Sequence, residues 1–456
     1  MDHSKQLGED NILQLLLKFS IPAIVGMLVQ ALYNVVDRIF IGQGVGSLGI
    51  AGVTIGFPIM IVMMAFGMLV GIGTTSLISL RLGEQKKDEA ELIMANGMVL
   101  LIVISLALSL LGLVFLNPLL KLFGASSDVL PYAGEYLSII LLGGLFQGIG
   151  FGMNNFIRAE GNPRMAMMTM LIGAILNIIL DPIFIFTFDW GIRGAALATI
   201  ISQGISSAWV LYYFLGGKSL LKIRVHYFSL QASVVGQIFL IGSAPFAMQL
   251  AASILNAILN KSLVVYGGDV AVSAMGVVNS VAMLILMPIF GLNQGAQPII
   301  GYNYGAGNFE RVKETVKLAV TAATAFVIVG FFVVEMFPES IIRLFNREDL
   351  QLIELGAHAL QVFLIALPII GFQIVSANYF QAVGKPKQAM ILSLSRQVLV
   401  LIPAVLILPR FFELNGILYA GPLSDVISSI ITGVWIFQEL KSLDQKQQEK
   451  LAFQPQ

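Results

Sequence analysis

The sequence has no cysteine and few charged residues, and these absences exclude several classes of protein. A chain without cysteine forms no disulfide, carries no catalytic thiolate and builds no cysteine-based metal site. Its three histidines are scattered and make no ligand pattern, and no nucleophile, base and orienting group converge, so an enzyme is not expected. Charged residues make up 11% of the chain, against about a quarter in soluble domains. The formal net charge is zero, so no nucleic-acid partner is expected.

Apolar residues are abundant instead, and they occur in long runs. They make up 57% of the 456 residues, and the mean hydropathy is +0.87, which indicates an integral membrane protein in contact with the lipid bilayer. Runs of about 20 apolar residues recur, each long enough to cross about 30 Å of hydrocarbon as a helix. We therefore predict an all-α membrane protein with about twelve transmembrane helices. The predicted spans are 13–41, 49–80, 90–116, 132–157, 164–188, 192–215, 234–265, 270–302, 314–336, 355–381, 387–409 and 416–440.

The chain also repeats itself after 223 residues. Residues 155–164 read NFIRAEGNPR, and residues 378–387 read NYFQAVGKPK. The same displacement places Asp37 opposite Asn260. Because each copy holds an even number of predicted spans, both copies enter the membrane from the same side, as in transporters built from parallel repeats. The sequence therefore predicts two parallel six-helix repeats, or lobes, around a central cleft.

The longest polar interruption lies between the two copies. We predict an N-terminal lobe over 1–215, a cytoplasmic linker over 216–233 and a C-terminal lobe over 234–456. Most of the 26 Lys and Arg residues fall in the tails and in the loops that a cytoplasmic N-terminus places inside the cell. The positive-inside rule thus predicts that both termini lie in the cytoplasm. We also expect the chain to be a monomer in the plasma membrane.

Two carboxylates lie inside predicted spans. Asp37 belongs to the first span, where a charge costs roughly 2.5–3.5 kcal/mol, so it should face a protein interior or a wet cavity. In the fifth span, Asn177 and Asp181 are four residues apart and share one helix face. Pro182 cannot donate to the carbonyl of Ile178, which predicts a break in the helix and a free backbone oxygen beside a carboxylate.

The start of the sixth span adds Ala195 and Thr199 on one face. Counting 1.5 Å per residue from the outer end of each span places Asp37 about 6 Å deep, and Asp181 and Thr199 about 10 Å deep. A buried carboxylate pair shares a proton or binds a cation, so this level predicts an ion-coupling site. Two plainer interpretations stay open. The acids could only join helices through hydrogen bonds, or Asp37 could pair with the adjacent Arg38.

The second copy lacks these charges. Asn260 stands where the first copy has Asp37, and Val400–Ala404 stands where it has Asn177–Asp181. The coupling chemistry is therefore expected to be asymmetric. Some charged residues of the second copy could take part, neutralise a neighbour or extend to the interface: Asp425, Glu335, Lys261 and Arg396.

Together these residues resemble the MATE family, the multidrug and toxic compound extrusion transporters. The resemblance rests on Pro22, the stretch from Asp37 to Gly42, Gly83, Ala159–Pro163, Asn177, Asp181–Pro182 and Gly191–Thr199. It implies a twelve-helix fold in two six-helix lobes. It also implies efflux of small organic compounds, often cationic, in exchange for H⁺ or Na⁺, with no further cofactor.

The resemblance further implies a cation site in the first lobe, built by Asp37, Asn177, Asp181, Thr199 and the backbone oxygen of Ala195. Asp37 and Asp181 would be metal ligands if Na⁺ is the coupling ion. For substrate binding it implies Gln30, Asn34, Tyr136 and Asn154. The corresponding parts of spans seven and ten carry no acidic residue, which resembles the DinF-like branch rather than the NorM-like branch.

Two other functions are weighed against export. A lipid-linked saccharide flippase of the same superfamily would be expected to carry more cationic residues in its central cavity. A channel or receptor would be expected to carry a selectivity-filter motif or an extramembrane ligand-binding domain, and the sequence has neither.

Overall fold

The computed structural model describes residues 5–345 and 349–452, and nearly all of them are helical. No strand occurs within these two ranges. The helices are α1 Lys5–Glu9, α2 Ile12–Gly44, α3 Ser47–Gly83, α4 Lys87–Val114, α5 Leu116–Leu122, α6 Leu130–Leu142, α7 Gly144–Ala159, α8 Pro163–Pro182, α9 Gly191–Leu215, α10 Ala232–Gly305, α11 Phe309–Met336, α12 Pro338–Phe345, α13 Leu350–Leu364, α14 Leu367–Ala382, α15 Pro386–Leu394, α16 Ile402–Ile407 and α17 Pro409–Ala452. Two π-helical stretches, Ile183–Thr187 and Ser395–Leu401, follow α8 and α15, and Val225–Tyr227 forms a 3₁₀ turn.

The described helices supply ten continuous spans, or up to twelve if two bent pairs each count as one. The helix α10 holds two of these spans, which meet at Gly268, whose φ of 66° lies in the left-handed region that favours glycine. The bent pairs are α6 with α7, at 55°, and α13 with α14, at 48°. The predicted spans 132–157 and 355–381 are therefore not straight helices. Gly143 lies at the first bend, and Pro368, which has no N–H to donate, lies in the first turn of the helix after the second.

The chain forms two compact units. The first contains residues up to Asp10 together with Ile21–Phe246, and the second contains Asn11–Ser20 together with the chain from Ala247 onward. The predicted lobe boundaries stay a prediction, and the extreme termini lie outside the described residues.

Small residues let helices of the first unit approach closely. A Cβ atom added to Gly26 of α2 would lie 2.7 Å from the Sδ of Met170 on α8. One added to Gly148 of α7 would lie 2.0 Å from the Oγ of Ser105 on α4. Such contacts between small residues are a usual means of joining helices within a membrane. The contact of Gly26 holds α2 against α8, the two helices that carry the predicted acid pair.

The polar segment after α9 lies along the first unit. Glu91 of α4 is fully buried, with Arg224 Nε 2.7 Å from its carboxylate and the Lys222 N–H donating to it at 3.1 Å. The Gln231 N–H donates to the side-chain oxygen of Asn96 at 2.8 Å. These buried polar groups of α4 hold the segment in one place.

Candidate ion-coupling site

Three helix ends of the first unit place the predicted site residues at one level. The helix α2 ends at Gly44, the π-helical stretch after α8 ends at Thr187, and α9 begins at Gly191. At 1.5 Å per residue, Asp37 lies about 10 Å from its helix end, Asp181 about 9 Å and Thr199 about 12 Å. Asp37 is deeper than the sequence indicates because α2 continues past residue 41.

Asp37 and Asp181 meet in the interior of the first unit. Asp37 is 7% exposed and Asp181 is fully buried. Their carboxyl groups lie within hydrogen-bonding range of each other. Among the described residues, Asp37 Oδ1 and Asp181 Oδ2 have no hydrogen-bond donor, although both atoms are buried. Two carboxyl groups this close repel each other when both are anionic. They therefore share a proton, or both stay anionic with a cation bound between them.

Asn177 connects the acid pair to α9. Its amide nitrogen donates to Asp181 Oδ1 and to Thr199 Oγ1, both at 3.3 Å. The Asn177 Oδ1 atom is buried and has no partner in the described part of the chain. Ala195 is fully buried one helical turn before Thr199. The proposed role of its backbone oxygen stays a prediction.

The unpartnered buried atoms of this cluster are all oxygens. Asp37, Asp181 and Asn177 each contribute one. Carboxylate and amide oxygens are the ligands that hard cations prefer, and a carboxyl pair also holds a proton. The donor set thus fits either coupling ion.

Proline shapes the helix that carries Asp181, although not in the predicted way. The expected break at Pro182 is wrong, because the chain stays helical there: α8 ends at Pro182, and the π-helical stretch Ile183–Thr187 follows directly. Proline offers no N–H to the carbonyl of Ile178, so the regular ladder cannot continue. The chain widens into longer-range bonds instead, and Phe188 N–H donates to the Ile183 carbonyl at 2.9 Å. Single π-helical turns occur often at functional sites.

Two tyrosines surround the acid pair. Tyr33 and Tyr136 each interact electrostatically with Asp37 and Asp181, and Tyr136 is only 2% exposed. The side chain of Gln30 hydrogen-bonds Tyr33. Tyr33 was absent from the predicted site, although it lies four residues before Asp37 and so shares its helix face.

The other predicted substrate residues lie in different surroundings. Asn34 is exposed, and its amide donates to the Gln30 carbonyl at 2.9 Å. Asn154 is buried and donates to the Ala166 carbonyl at 2.7 Å, which joins α7 to α8. It lies about 8 Å from the end of α7 that faces away from Asp37, so the structure does not bring it to the acid pair. The substrate roles of Gln30, Asn34, Tyr136 and Asn154 stay predictions.

Arg38 does not form the pair that the sequence left open. Its guanidinium lies 5.8 Å from the ring centroid of Phe57, and Arg38 and Asp37 form no ion pair within the described ranges. The Asp37 carboxyl lies instead within hydrogen-bonding range of the Asp181 carboxyl. This leaves helix joining and ion coupling as the two interpretations of the acid pair.

The second unit has different chemistry. Asn260, the counterpart of Asp37, is exposed, as is Lys261. Asp425 is 1% exposed and accepts a hydrogen bond from Arg396 Nε. Glu335 has a buried carboxylate oxygen that finds no hydrogen-bond partner among the described residues.

Comparisons with known proteins agree with this architecture. The MatE family model matches residues 22–183 and again 245–406, displaced by the same 223 residues that separate the two sequence copies. The multidrug export protein MepA of Staphylococcus haemolyticus (strain JCSC1435) is 29% identical over 423 residues, which covers 93% of each chain.

Solved structures match over nearly the whole chain. A crystal structure of MATE in the bent conformation superposes with a TM-score of 0.92 at 25% identity, covering 98% of this chain and 99% of that one. The outward-facing conformation of a multidrug resistance MATE family transporter of the MOP superfamily gives a TM-score of 0.90 at 25% identity, covering 96% and 98%. The predicted fold class is confirmed, whereas the DinF-like branch stays a prediction.

Proposed function

Because this chain belongs to the MATE family, we propose that it is a secondary active multidrug exporter, which moves small organic compounds out of the cell by antiport with H⁺ or Na⁺. The family consists of transporters, so the prediction that the chain is not an enzyme is confirmed. The name of its staphylococcal relative, a multidrug export protein, supports organic compounds, often cationic and amphipathic, as cargo.

The contact between Asp37 and Asp181 is the observation that carries this proposal. Both carboxyl groups are buried within spans, and each has an oxygen without a donor in the described part of the chain. Helix joining alone would be served better by groups that satisfy each other, since an unsatisfied buried polar atom is destabilising. A site that receives and releases an ion accounts for the unpartnered oxygens.

Ion binding changes the charge of this cluster, and that change drives the cycle. In the ion-free state the acid pair carries negative charge, which attracts an organic cation. A proton or Na⁺ arriving from outside neutralises the pair, removes the repulsion between α2 and α8, and weakens the hold on the cation. Ion and cargo thereby lower each other's affinity, as antiport requires, because coupling between two ligands is reciprocal.

The two candidate ions use the same residues differently. A proton would lie between the carboxyl groups of Asp37 and Asp181. Na⁺ would bind Asp37, Asp181, Asn177 and Thr199, with the Ala195 backbone oxygen as a further ligand. Transport by proteoliposomes under an imposed proton gradient, compared with an imposed sodium gradient, distinguishes them.

The experiment that tests the proposal measures ethidium export by proteoliposomes. We expect Asp37→Asn to abolish gradient-driven export, because an amide neither takes up a proton at neutral pH nor supplies the anion that a cation needs. Asp128→Asn, an exposed carboxylate between α5 and α6, is the matched control and should export normally. Undiminished export by Asp37→Asn would reject the coupling role.

We further propose that the chain acts as a monomer in the plasma membrane, with both termini in the cytoplasm. The distribution of Lys and Arg supports this orientation. All of the coupling residues come from α2, α8 and α9 of one copy, so the site needs no second subunit.

A further inference from the structure

Arg396 is a charged residue at the middle of a membrane span. The span Pro386–Ile407 places it about 15 Å from either end, near the centre of the bilayer. A charge at this depth is costly, so an arginine here faces the protein interior or a polar cavity. Arg396 lies in the π-helical stretch Ser395–Leu401, and π-helical turns are frequent at functional sites.

Asp425 of α17 accepts a single hydrogen bond from this arginine. Arg396 Nε donates to Asp425 Oδ1, and the Asp425 side chain is 2% exposed. Neither Nη1 nor Nη2 of Arg396 makes a hydrogen bond to any described residue. The side chain is 25% exposed, so these two nitrogens are accessible to a ligand.

Another described ion pair of the second unit is built differently. Lys385 Nζ contacts both carboxylate oxygens of Glu439, and Tyr379 Oη donates to the same carboxylate at 3.1 Å. The one cationic nitrogen of Lys385 thus contacts both oxygens of its partner. In Arg396, a bond through Nε orients the guanidinium plane and leaves the Nη1–Nη2 edge open, which is the edge that matches the two oxygens of a carboxylate.

Two neighbouring groups extend the polar surroundings. Gln397, the next residue, has a buried side-chain oxygen without a partner among the described residues. Ser429 lies one helical turn after Asp425, and its hydroxyl is also buried and unpartnered within that part of the chain. These two residues thus add unpartnered polar atoms close in the sequence to Arg396 and Asp425.

We propose that Arg396, held by Asp425, is an anion-binding position in the second unit, which receives the carboxylate of a zwitterionic amphipathic compound during export. This inference rests on the proposed function, because it names a cargo class for the same exporter. The second unit would thus contribute an anion-binding group, whereas the acid pair of the first unit is a cation-binding one.

A matched pair of dyes tests the proposal by equilibrium binding to the full-length chain in nanodiscs. Rhodamine B carries a cation and a free carboxylate, and its ethyl ester keeps the cation but loses the anion. We expect the double variant Arg396→Gln/Asp425→Asn to weaken rhodamine B binding about tenfold, since hydrogen bonds between charged groups are the strong ones, and to leave the ester within about twofold. Removing both charges together avoids stranding a buried Asp425 carboxylate.

The ratio of the two dissociation constants is the readout. The single variant Arg396→Lys keeps the charge without the planar fork, and we expect an intermediate ratio. Lys385→Gln/Glu439→Gln removes the Lys385–Glu439 pair of the same unit and should leave the ratio at the wild-type value. A ratio unchanged in Arg396→Gln/Asp425→Asn, or no binding of rhodamine B by the wild-type chain, would overturn the anion site. Export of the ester by the wild-type chain, lost in Asp37→Asn, tests the proposed function separately.

Discussion

At the scale of single residues, Asn177 connects the acid pair to the rest of the site. One amide nitrogen serves both Asp181 and Thr199, and both distances, 3.3 Å, are at the long end for hydrogen bonds. Its oxygen has no partner in the described residues. The nitrogen of Asn177 therefore stabilises the Asp181 carboxylate when it is charged, and its oxygen is available to bind an ion.

We expect Asn177→Ala to shift the coupling-ion concentration needed for half-maximal export roughly tenfold, because a hydrogen bond to a charged group is worth about 1.5–3 kcal/mol. The requirement for Na⁺ should rise, because an oxygen ligand is lost, whereas the requirement for H⁺ should fall, because the Asp181 carboxylate loses a stabilising N–H donor. Initial export rates from proteoliposomes, measured over a series of ion concentrations, give this value. Asn117→Ala, at an exposed position on α5, is the matched amide control. An unchanged ion requirement in Asn177→Ala would mean that Asn177 only joins helices.

The sequence predicts contacts along one helix better than contacts between helices. Spacing by four residues put Asn177 and Asp181 on one face, and depth counting brought Thr199 and Asp37 to the same level. The same spacing places Tyr33 on the face of Asp37, but a tyrosine in a membrane span is as compatible with helix packing as with an ion-coupling site. The amide of Asn154 was equally ambiguous, and only the fold shows that it bonds the backbone of α8.

At the scale of helices, irregular turns place the functional groups. The chain was expected to be discontinuous at Pro182, but it continues as a π-helical stretch. The loss of one backbone hydrogen bond, to the Ile178 carbonyl, does not end the helix, because packing against neighbouring helices keeps its direction. The bend at Gly143 was not predicted, since glycine in a membrane helix is common and marks no bend by itself. Its counterpart after 223 residues is Ala366, which lies at the second bend, so the bend belongs to the repeat rather than to glycine.

The turn between α7 and α8 contains another buried carboxylate. Glu160 accepts hydrogen bonds from Tyr213 Oη at 2.8 Å, Ser219 Oγ at 2.5 Å, and the Leu220 and Leu221 N–H groups at 3.3 and 3.2 Å. It thereby fastens the segment after α9 to the end of α7. Burial raises the pKa of Glu160 to about 7, and the four donors limit the rise.

This raised pKa predicts a pH-dependent stability. Between the ordinary pKa of 4.5 and about 7, the folded chain holds a proton on Glu160 that the unfolded chain has lost, so the contribution of Glu160 to stability falls as pH rises through this window. A shift of this size corresponds to about 3 kcal/mol at most. We expect wild type to lose stability relative to Glu160→Gln between pH 5 and pH 8, measured as the shift in Tm in detergent.

Glu84, in the turn after α3, is the matched control. Hydrogen bonds from Arg81 and Lys86 outweigh the opposing effect of burial and lower the pKa of Glu84. The stability that it contributes is present above pH 4.5 and is lost only as pH falls below that value. The Tm difference between wild type and Glu84→Gln should therefore stay constant from pH 5 to pH 8. The same constancy for Glu160→Gln would show that Glu160 is charged throughout that range.

At the scale of the whole molecule, two copies of one fold carry different chemistry. The family match, the bends and the π-helical stretches recur in both copies. The acid pair of the first unit has no counterpart, because Asn260 is exposed and Val400–Ala404 is apolar apart from the backbone. The second unit holds the Arg396–Asp425 pair instead. The repeat in the sequence thus made the two-lobe helical architecture predictable. The Asp37–Asp181 and Arg396–Asp425 pairs were not predictable from the repeat, because each occurs in only one copy.

The direction in which the acid pair opens depends on the orientation of the chain, and the absence of cysteine allows a direct measurement. Ser127→Cys, between α5 and α6, and Lys87→Cys, at the start of α4, would each carry the only thiol of the chain at an exposed position. We expect a membrane-impermeant maleimide to label Ser127→Cys in intact cells and Lys87→Cys only after permeabilisation, because basic residues are retained on the cytoplasmic side. The reverse pattern would place Asp37 and Asp181 near the cytoplasmic face, where an ion entering from outside could not reach them first, and the proposed order of ion binding and cargo release would have to be inverted.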